Sequence, residues 1–220
     1  SKLEIADDLY RLHTLGFRGE ALASIASVSH VQMTTRSSNE QYGTAIHLEG
    51  GNIISQKSVG LPSGTSITVE HLFFNTPARL KFLKSEMTEK RQIAALVSRY
   101  AMAYPQVRFV LEQDGREVMR AGGTGDLADV LVNVVGLDTF KNMLEVDTRG
   151  DDYQGIRVYG YTSTPNLHRA DRSKITLFVN GRWIQDTGLT HAVVQAYHTL
   201  LMTGRYPIAI MQVELPPEVV

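Results

Sequence analysis

A chain of 220 residues, of which 43% are hydrophobic, is long enough for one large domain or two modest ones and predicts a packed core. The 22 lysines and arginines nearly balance the 23 aspartates and glutamates, so the net charge of -1 does not indicate a nucleic-acid binder. A net charge this close to zero still allows a local basic surface. The absence of cysteine excludes disulfides, thiolate catalysis and cysteine zinc sites, and no apolar run approaches the roughly 20 residues that cross a bilayer.

The first predicted element is a short helix that Asp7 or Asp8 can cap and that runs through Leu15. The residues before it carry acidic side chains and lack the apolar core of a signal peptide. Because the sequence also begins without an initiator methionine, we expect a fragment or a processed piece of a longer protein.

A glycine loop, Gly16–Leu22, follows this helix, and a second helix is predicted from about Glu20 to Val28. Backbone N–H groups at such a loop hold anions and phosphates, and the guanidinium of Arg18 pairs well with phosphate oxygens. The carboxylate of Glu20 would instead repel a triphosphate, and the glycines fit a purely structural turn equally well, because glycine readily adopts positive φ.

The same pattern of helix, Gly-x-x-Gly and helix superficially matches the clamp that KH domains close on a nucleotide backbone. The upstream helix begins too near Ser1 to leave room for the strand that precedes such a loop, and a long run of strands follows it. The spacing of the loop therefore leaves open a structural turn, a phosphate site and a nucleic-acid clamp.

Four stretches with the composition of strands come next, and we expect them to form an antiparallel meander with helices on one face: 31–36, 44–49, 52–57 and 65–70. Gly64 and Thr65 open the fourth strand. They fit a simple turn into a strand, and they also fit a hydroxyl at the floor of a pocket, where it could bond a purine edge.

Thr76 and Pro77 mark a helix start, because threonine suits the N-cap and proline suits the first helical position. A longer helix is predicted over 89–104, and Pro105 ends it. We place a domain boundary here, which gives domains of 1–104 and 105–220.

The second half alternates strands and helices in an order typical of an α+β domain. Its predicted elements are a hairpin turning at Asp114–Gly115, a helix over 127–135, strands over 143–146, 156–161 and 175–179, a turn at Asn180–Gly181 into 182–184, a helix over 189–202 and a closing strand over 207–215.

Isolated charged and aromatic residues give weaker indications of function. Arg79, Lys81 and Lys84 fit a solvated helix face, Arg182 fits an exposed surface position, and Trp183 fits the core or a domain contact. The seven histidines are scattered, so we predict no metal site from protein ligands, and no Walker A or Rossmann fingerprint is present.

Three long motifs in the chain resemble those of MutL-type mismatch-repair ATPases, in the same order. Leu15–Ile25 resembles the third ATP-binding motif of that family, and Gly64–Thr65 with Phe74–Leu83 resembles the fourth motif and its neighbour. Val179–Arg182 resembles the signature of the family's second domain. The likeness covers essentially the whole chain, and three motifs in register are far more specific than any one loop.

This resemblance implies an α+β fold, with part of a split-ATPase (Bergerat-type) α/β sandwich followed by a ribosomal-protein-S5-domain-2-like domain. The sandwich is shared with gyrase, the Hsp90 chaperones and histidine kinases. By the same likeness ATP, with Mg²⁺ in the full-length family, is the nucleotide, Thr65 lies near the adenine, and Arg182 contacts DNA. The residues that wrap the triphosphate are Lys2, Gly16, Phe17, Arg18, Gly19, Glu20, Ala21 and Leu22.

The implied parent protein is a bacterial, cytoplasmic, nucleoid-associated homodimer. Its ATP cycle would control dimerisation and its contacts with DNA and with a mismatch-recognition protein of the MutS type. The DNA would be bound largely independently of sequence, and no membrane is involved.

The chain departs from the family by lacking three segments: the helix with the general-base glutamate and the magnesium-binding asparagine, the Asp-x-Gly-x-Gly adenine segment, and the His-Pro-x-Lys loop. We therefore expect this chain alone not to hydrolyse ATP. The alternative is a nucleic-acid or protein binding module without ATP chemistry. A chaperone or topoisomerase relative is a third possibility, against which the Asn75–Arg79 and Val179–Arg182 segments argue.

Overall fold

A computed structural model describes residues 19–149 and 155–216, which fall into two compact units, one ending at Ser85 and one starting at Glu86. The helix predicted before Leu15 lies outside the described residues. The long helix that we predicted at the end of the first domain belongs to the second unit, because Ala101 and Met102 are buried in that unit's core. Among the described residues, no helix has the length and apolar character needed to cross a membrane.

The first unit is a four-stranded antiparallel sheet with a short helix at each end of its sequence. Its elements are α1 (Ala21–Ala26), β1 (His30–Arg36), β2 (Gly43–Glu49), β3 (Asn52–Val59), β4 (Gly64–Glu70) and α2 (Pro77–Leu80). All four predicted strands are present, to within a few residues at their ends.

The strand order is β3-β2-β1-β4, so the prediction of a simple meander is wrong for its last strand. β4 pairs with β1 in place of its sequence neighbour β3, and His30 faces Glu70 while Thr35 faces Thr65. The connection between β3 and β4 is tied to the end of β1, because Arg36 Nε donates to the Leu61 carbonyl at 2.6 Å. That hydrogen bond holds the crossing segment where β4 can enter beside β1.

The second unit packs helices against a five-stranded mixed sheet. Its elements are α3 (Glu86–Ala103), β5 (Arg108–Gln113), β6 (Arg116–Gly122), α4 (Leu127–Val135), α5 (Leu137–Phe140), β7 (Met143–Asp147), β8 (Arg157–Ser163), β9 (His168–Arg169), β10 (Ile175–Val179), β11 (Arg182–Ile184), α6 (Thr187–Ala196), β12 (Tyr206–Pro207) and β13 (Ala209–Glu214).

The order of the large sheet is β11-β10-β13-β8-β7, and only β10 and β13 run parallel. A parallel pair needs a crossover connection, which α6 supplies between β11 and β13. The predicted helix over 189–202 is shorter than expected and ends at Ala196. The next residue, Tyr197, is buried, and its hydroxyl pairs with the side chain of Thr162 at 2.8 Å.

The core of the second unit lies between this sheet and the helices α3 and α4. Phe178, Val130 and Leu131 are fully buried there, together with Ala101 of α3. α4 begins where the sequence predicts, because the Asp126 carboxylate caps it by accepting the Ala128 N–H at 2.8 Å. This core fixes the strands that present the turn between β10 and β11.

Candidate functional site

The glycine loop is described only from its last residues onward. Lys2, Gly16, Phe17 and Arg18 lie outside the described residues, so their predicted roles stay predictions. Gly19, Glu20, Ala21 and Leu22 are exposed. Gly19 has φ +71°, which favours glycine, and a Cβ placed on it would meet no heavy atom of another described residue within 4 Å. The chain thus enters α1 through an open, solvent-facing backbone.

α1 itself begins at Ala21 with Glu20 as its N-cap residue. The Glu20 side chain makes no capping hydrogen bond, while its carbonyl accepts the Ser24 N–H at 2.9 Å. Leu22 leaves 48% of its surface exposed. The described end of the loop therefore presents free backbone and an apolar side chain to the surface.

The opposite end of α1 is bound to a distant segment of the same unit, the turn over residues 71–76. Asn75 Nδ2 donates to the Ser27 carbonyl at 2.9 Å, and the Phe73 N–H donates to the Val28 carbonyl at 2.7 Å. The structure thus joins the segment directly after the Leu15–Ile25 motif to the start of the Phe74–Leu83 motif. Sequence reasoning treated Asn75 as part of a helix start and of the Phe74–Leu83 motif, and it gave this side chain no role of its own.

Thr65 lies on the exposed strand β4. Its hydroxyl is 2.7 Å from the Thr35 hydroxyl across the β1–β4 pair, so one of the two donates to the other. α1 packs on β1, and β4 pairs with β1 in the sheet. The end of the glycine loop and Thr65 therefore lie on two elements that both contact β1. Thr65 remains able to accept or donate one further hydrogen bond at this surface.

Arg182 lies in the second unit, at the first position after a two-residue hairpin turn. Asn180 and Gly181 both have positive φ, +47° and +74°, as the predicted Asn-Gly turn requires. The Asn180 side chain fixes the turn by accepting the Leu215 N–H at 2.8 Å and donating to the Leu215 carbonyl at 3.1 Å. Arg182 is exposed at the edge of this rigid turn.

A second arginine stands beside this hairpin. The guanidinium of Arg99, from α3, lies 3.7 Å from the centre of the Trp183 ring, and Trp183 leaves 38% of its surface exposed. Such a stacked pair is worth about 0.5–1 kcal/mol at an exposed site. Trp183 is therefore not a core residue. Because Arg182 and Trp183 are successive residues of β11, their side chains point to opposite faces of the sheet, and Arg99 stacks on the face away from Arg182.

A polar cavity of about 640 Å³ lies on the second unit's sheet, next to the Asn180–Gly181 turn. Its walls carry a network in which Arg157 bonds Asp147 through two hydrogen bonds of 3.0 and 3.1 Å and reaches Glu214 at 3.4 Å. Tyr159 also donates to Glu214, at 3.2 Å. Sequence reasoning missed this cavity, although charged and tyrosine residues alternate along β7 and β8.

The electrostatics of the cavity follow from these contacts. The Arg157 guanidinium lowers the pKa of the Asp147 carboxyl, and that carboxylate raises the pKa of Arg157. Burial, followed by the charge of Glu214, raises the pKa of Tyr159. Each acid of this network is matched by a hydrogen-bond donor, so the arrangement is suited to fixing the ends of β7, β8 and β13.

No group of three histidine or acidic side chains within residues 19–149 and 155–216 could hold a metal ion.

Comparison with known proteins places these features in a family. Residues 131–220 match the model of the DNA mismatch repair protein, C-terminal domain. The chain is 45% identical over 217 residues to the DNA mismatch repair protein MutL of Streptococcus thermophilus, covering 99% of this chain and 33% of that protein. It is 44% identical over 220 residues to MutL of Limosilactobacillus reuteri, covering 100% of this chain and 32% of that protein.

A solved structure agrees with these sequence relatives. The Aquifex aeolicus MutL ATPase domain complexed with ADP is 30% identical, with a TM-score of 0.70, over 97% of this chain and 76% of that one. This likeness confirms the predicted fold class, a mixed α/β fold of the split-ATPase type. The chain spans about a third of the length of the curated relatives that it matches.

Proposed function

The chain belongs to the MutL family of DNA mismatch repair proteins, and from this premise we propose that it forms part of a protein that binds and hydrolyses ATP during repair. Within that protein it supplies the lid and part of the wall of the nucleotide site. One observation carries the proposal: the Gly16–Leu22 motif ends in an exposed loop in a chain that is 30% identical to an ATPase domain solved with ADP.

In this proposal the lid wraps the triphosphate through Lys2 and the residues Gly16–Leu22, with Arg18 pairing phosphate oxygens. Support comes from the exposed backbone at Gly19, where no atom of another described residue stands within 4 Å of a Cβ position. Thr65 contacts the adenine directly or through water, using the hydrogen bond that its pair with Thr35 leaves free. Mg²⁺ accompanies the nucleotide and neutralises phosphate charge when bound.

We propose that the 220-residue chain by itself does not turn over ATP, because the base that activates water is absent from it. The test compares ATP binding and hydrolysis by the full-length protein, by this chain and by the Arg18→Ala variant of each. Arg116→Ala, a change at an exposed arginine of the second unit, is the matched control. Steady turnover by the pure chain that Arg18→Ala abolishes would overturn the proposal of a lid without its base.

The second unit contacts DNA through Arg182, according to the proposal. Its support is the position of Arg182, which is exposed directly after a hairpin turn that the Asn180 side chain fixes through its two hydrogen bonds to Leu215. Arginines on such a surface bind phosphates without reading sequence, and they release counterions as they do so. A nucleic-acid binding module without ATP chemistry would use the same surface, with a DNA affinity that does not respond to ATP.

The chain offers an unusually close control for Arg182. Arg116 follows the Asp114–Gly115 turn of the β5–β6 hairpin, where both turn residues also have positive φ, +53° and +71°. We expect Arg182→Glu to weaken DNA binding and to lower the salt slope of log K by about 1, while Arg116→Glu changes neither. Equal effects of the two variants would remove Arg182 as the specific contact.

The remaining parts of the proposal concern the whole protein. It forms a homodimer under the control of ATP, engages a mismatch-recognition protein of the MutS type, and works in the bacterial cytoplasm at the nucleoid. We place the boundary of its functional domains near 104, although α3 packs in the core of the second compact unit, and the second domain has the ribosomal-protein-S5-domain-2-like fold. Sedimentation of the full-length protein with and without a non-hydrolysable ATP analogue tests the dimer directly, since ATP-dependent association should appear only with the analogue.

A further inference from the structure

The segment that directly follows α1 is held by residues far away in the sequence. The last carbonyls of a helix have no partner within it and must find one elsewhere. The Ser24 and Ile25 carbonyls accept the hydroxyls of Ser27 and Ser29, at 2.9 and 2.6 Å. The Ala26 carbonyl accepts the Ser29 N–H at 3.5 Å, and the carbonyls of Ser27 and Val28, beyond the helix, are taken by the turn over 71–76, which lies 48 residues away at its Asn75 contact.

That turn adopts a conformation that costs free energy. His71 and Phe73 have φ of +53° and +65°, although neither is glycine. The Thr76 hydroxyl oxygen is buried and, among the described residues, has no hydrogen-bond partner. Strained backbone and unsatisfied groups persist only where the surroundings hold them in place, and they concentrate at functional sites.

The surroundings of the turn do hold it from two sides. The ring of His30, at the start of β1, packs edge to face against the rings of His71 and Phe74. The distances between ring centres are 4.9 Å to His71 and 4.6 Å to Phe74. A Cβ on Gly50, in the turn between β2 and β3, would stand 3.4 Å from Phe74 and 3.5 Å from Asn75 Nδ2. The turn is therefore clamped against the sheet while its Asn75 amide points to α1.

We propose that Asn75 is a positioning residue for the nucleotide, acting through α1 on the lid motif that directly precedes this helix. The inference rests on the proposed function of the Gly16–Leu22 motif. A helix of six residues is only about 9 Å long, so its two ends move together. The hydrogen bond from Asn75 to the Ser27 carbonyl thus fixes α1 and, with it, the position of Gly19–Leu22. Small displacements of groups that contact a ligand weaken its binding strongly, so a shift of these residues should weaken nucleotide binding.

The decisive variant is Asn75→Asp, which keeps the size of the side chain and replaces its donor by an oxygen that faces the Ser27 carbonyl. We expect the Kd for ATP of the full-length protein to rise about three- to tenfold, equivalent to ~0.7–1.4 kcal/mol. Asn52→Asp makes the same chemical change at an exposed asparagine at the start of β3 and should leave the Kd unchanged. Hydrogen exchange of the Val28 and Ser29 amides should quicken in Asn75→Asp and not in Asn52→Asp.

The outcomes separate this inference from the function on which it rests. If the unchanged protein fails to bind ATP, the proposed function falls. If it binds ATP and Asn75→Asp alters the Kd by less than twofold, only the positioning role falls. A lowered melting temperature without a change in Kd also overturns it, because that is the signature of a purely structural hydrogen bond. Should Asn75→Asp not fold, Asn75→Ser replaces it, and an unchanged Kd there is equally decisive.

Discussion

Among the described glycines of the second unit, Gly160 is the one where an added methyl group should lower the free energy of unfolding most. It lies in the middle of β8 with φ +141°, paired with Met211 of β13 and Val146 of β7. A Cβ at this position would stand 2.1 Å from the Ile210 carbonyl oxygen. Because β13 is itself hydrogen-bonded to β8 and β10, that oxygen cannot move away without parting two strands.

The size of the effect follows from two separate terms. An L-residue held at this φ costs about 1–3 kcal/mol, and forcing an atom into packed backbone costs about 1–3 kcal/mol more. We therefore expect Gly160→Ala to lower the free energy of unfolding by about 2–6 kcal/mol, a large part of the ~5–15 kcal/mol of a typical domain. Gly204→Ala measures the cost of the backbone conformation without the clash, because Gly204 has φ +79° and no described heavy atom within 4 Å of its Cβ position.

Urea unfolding followed by tryptophan fluorescence measures both variants, because Trp183 is the single tryptophan of the chain and lies in the second unit. The slope of the transition should stay the same while its midpoint falls further for Gly160→Ala. If the two glycine variants lose equal stability, the clash with the Ile210 carbonyl has no energetic consequence and the close pairing of β8 with β13 is refuted.

Three further predictions use the same measurement. Leu131→Ala, at a fully buried position, should cost about 2–5 kcal/mol, whereas Leu137→Ala, where 52% of the side chain is exposed, should stay within about 0.5 kcal/mol. Asp126→Ala removes the cap of α4 and should cost about 0.5–2 kcal/mol. Arg157 lowers the folded-state pKa of Asp147 below its unfolded value of about 3.9, so the stabilisation is present above that pH and is lost as the pH falls through the folded-state pKa. The stability difference between the unchanged chain and Asp147→Asn should therefore shrink as the solution is acidified, and a constant difference would contradict the pairing.

The sequence predicted the elements whose formation depends on near neighbours. α4 begins and ends where Asp126 and the apolar spacing indicate, and the Asn180–Gly181 pair forms the expected two-residue turn. Helix caps and tight turns depend on groups within about four residues of one another, so both can be predicted from a short stretch of sequence. The family, too, was identified from motifs that are continuous in the sequence.

The partners of these elements were decided only by the tertiary structure. The alternation in β4 marks a strand, but the same alternation fits a place beside β3 or beside β1, and it is Arg36 that ties the crossing segment near β1. In α3 the apolar stripe containing Ile93, Leu96 and Tyr100 predicts the helix correctly, yet those three side chains remain exposed and Ala101 and Met102 are buried. The periodicity of apolar residues predicts that a helix has an apolar face, but it does not predict which element packs against that face.

The candidate site shows the same division most clearly. Residue types and spacing marked the Gly16–Leu22 motif and the Asn75–Arg79 segment separately, each with its own local interpretation. Only the folded chain joins them, through the hydrogen bond of Asn75 to the Ser27 carbonyl, and only it assembles the cavity around Arg157. Such contacts depend on which strands pair across tens of residues, and because pairing energy comes from packing in three dimensions, no local pattern in the sequence records it.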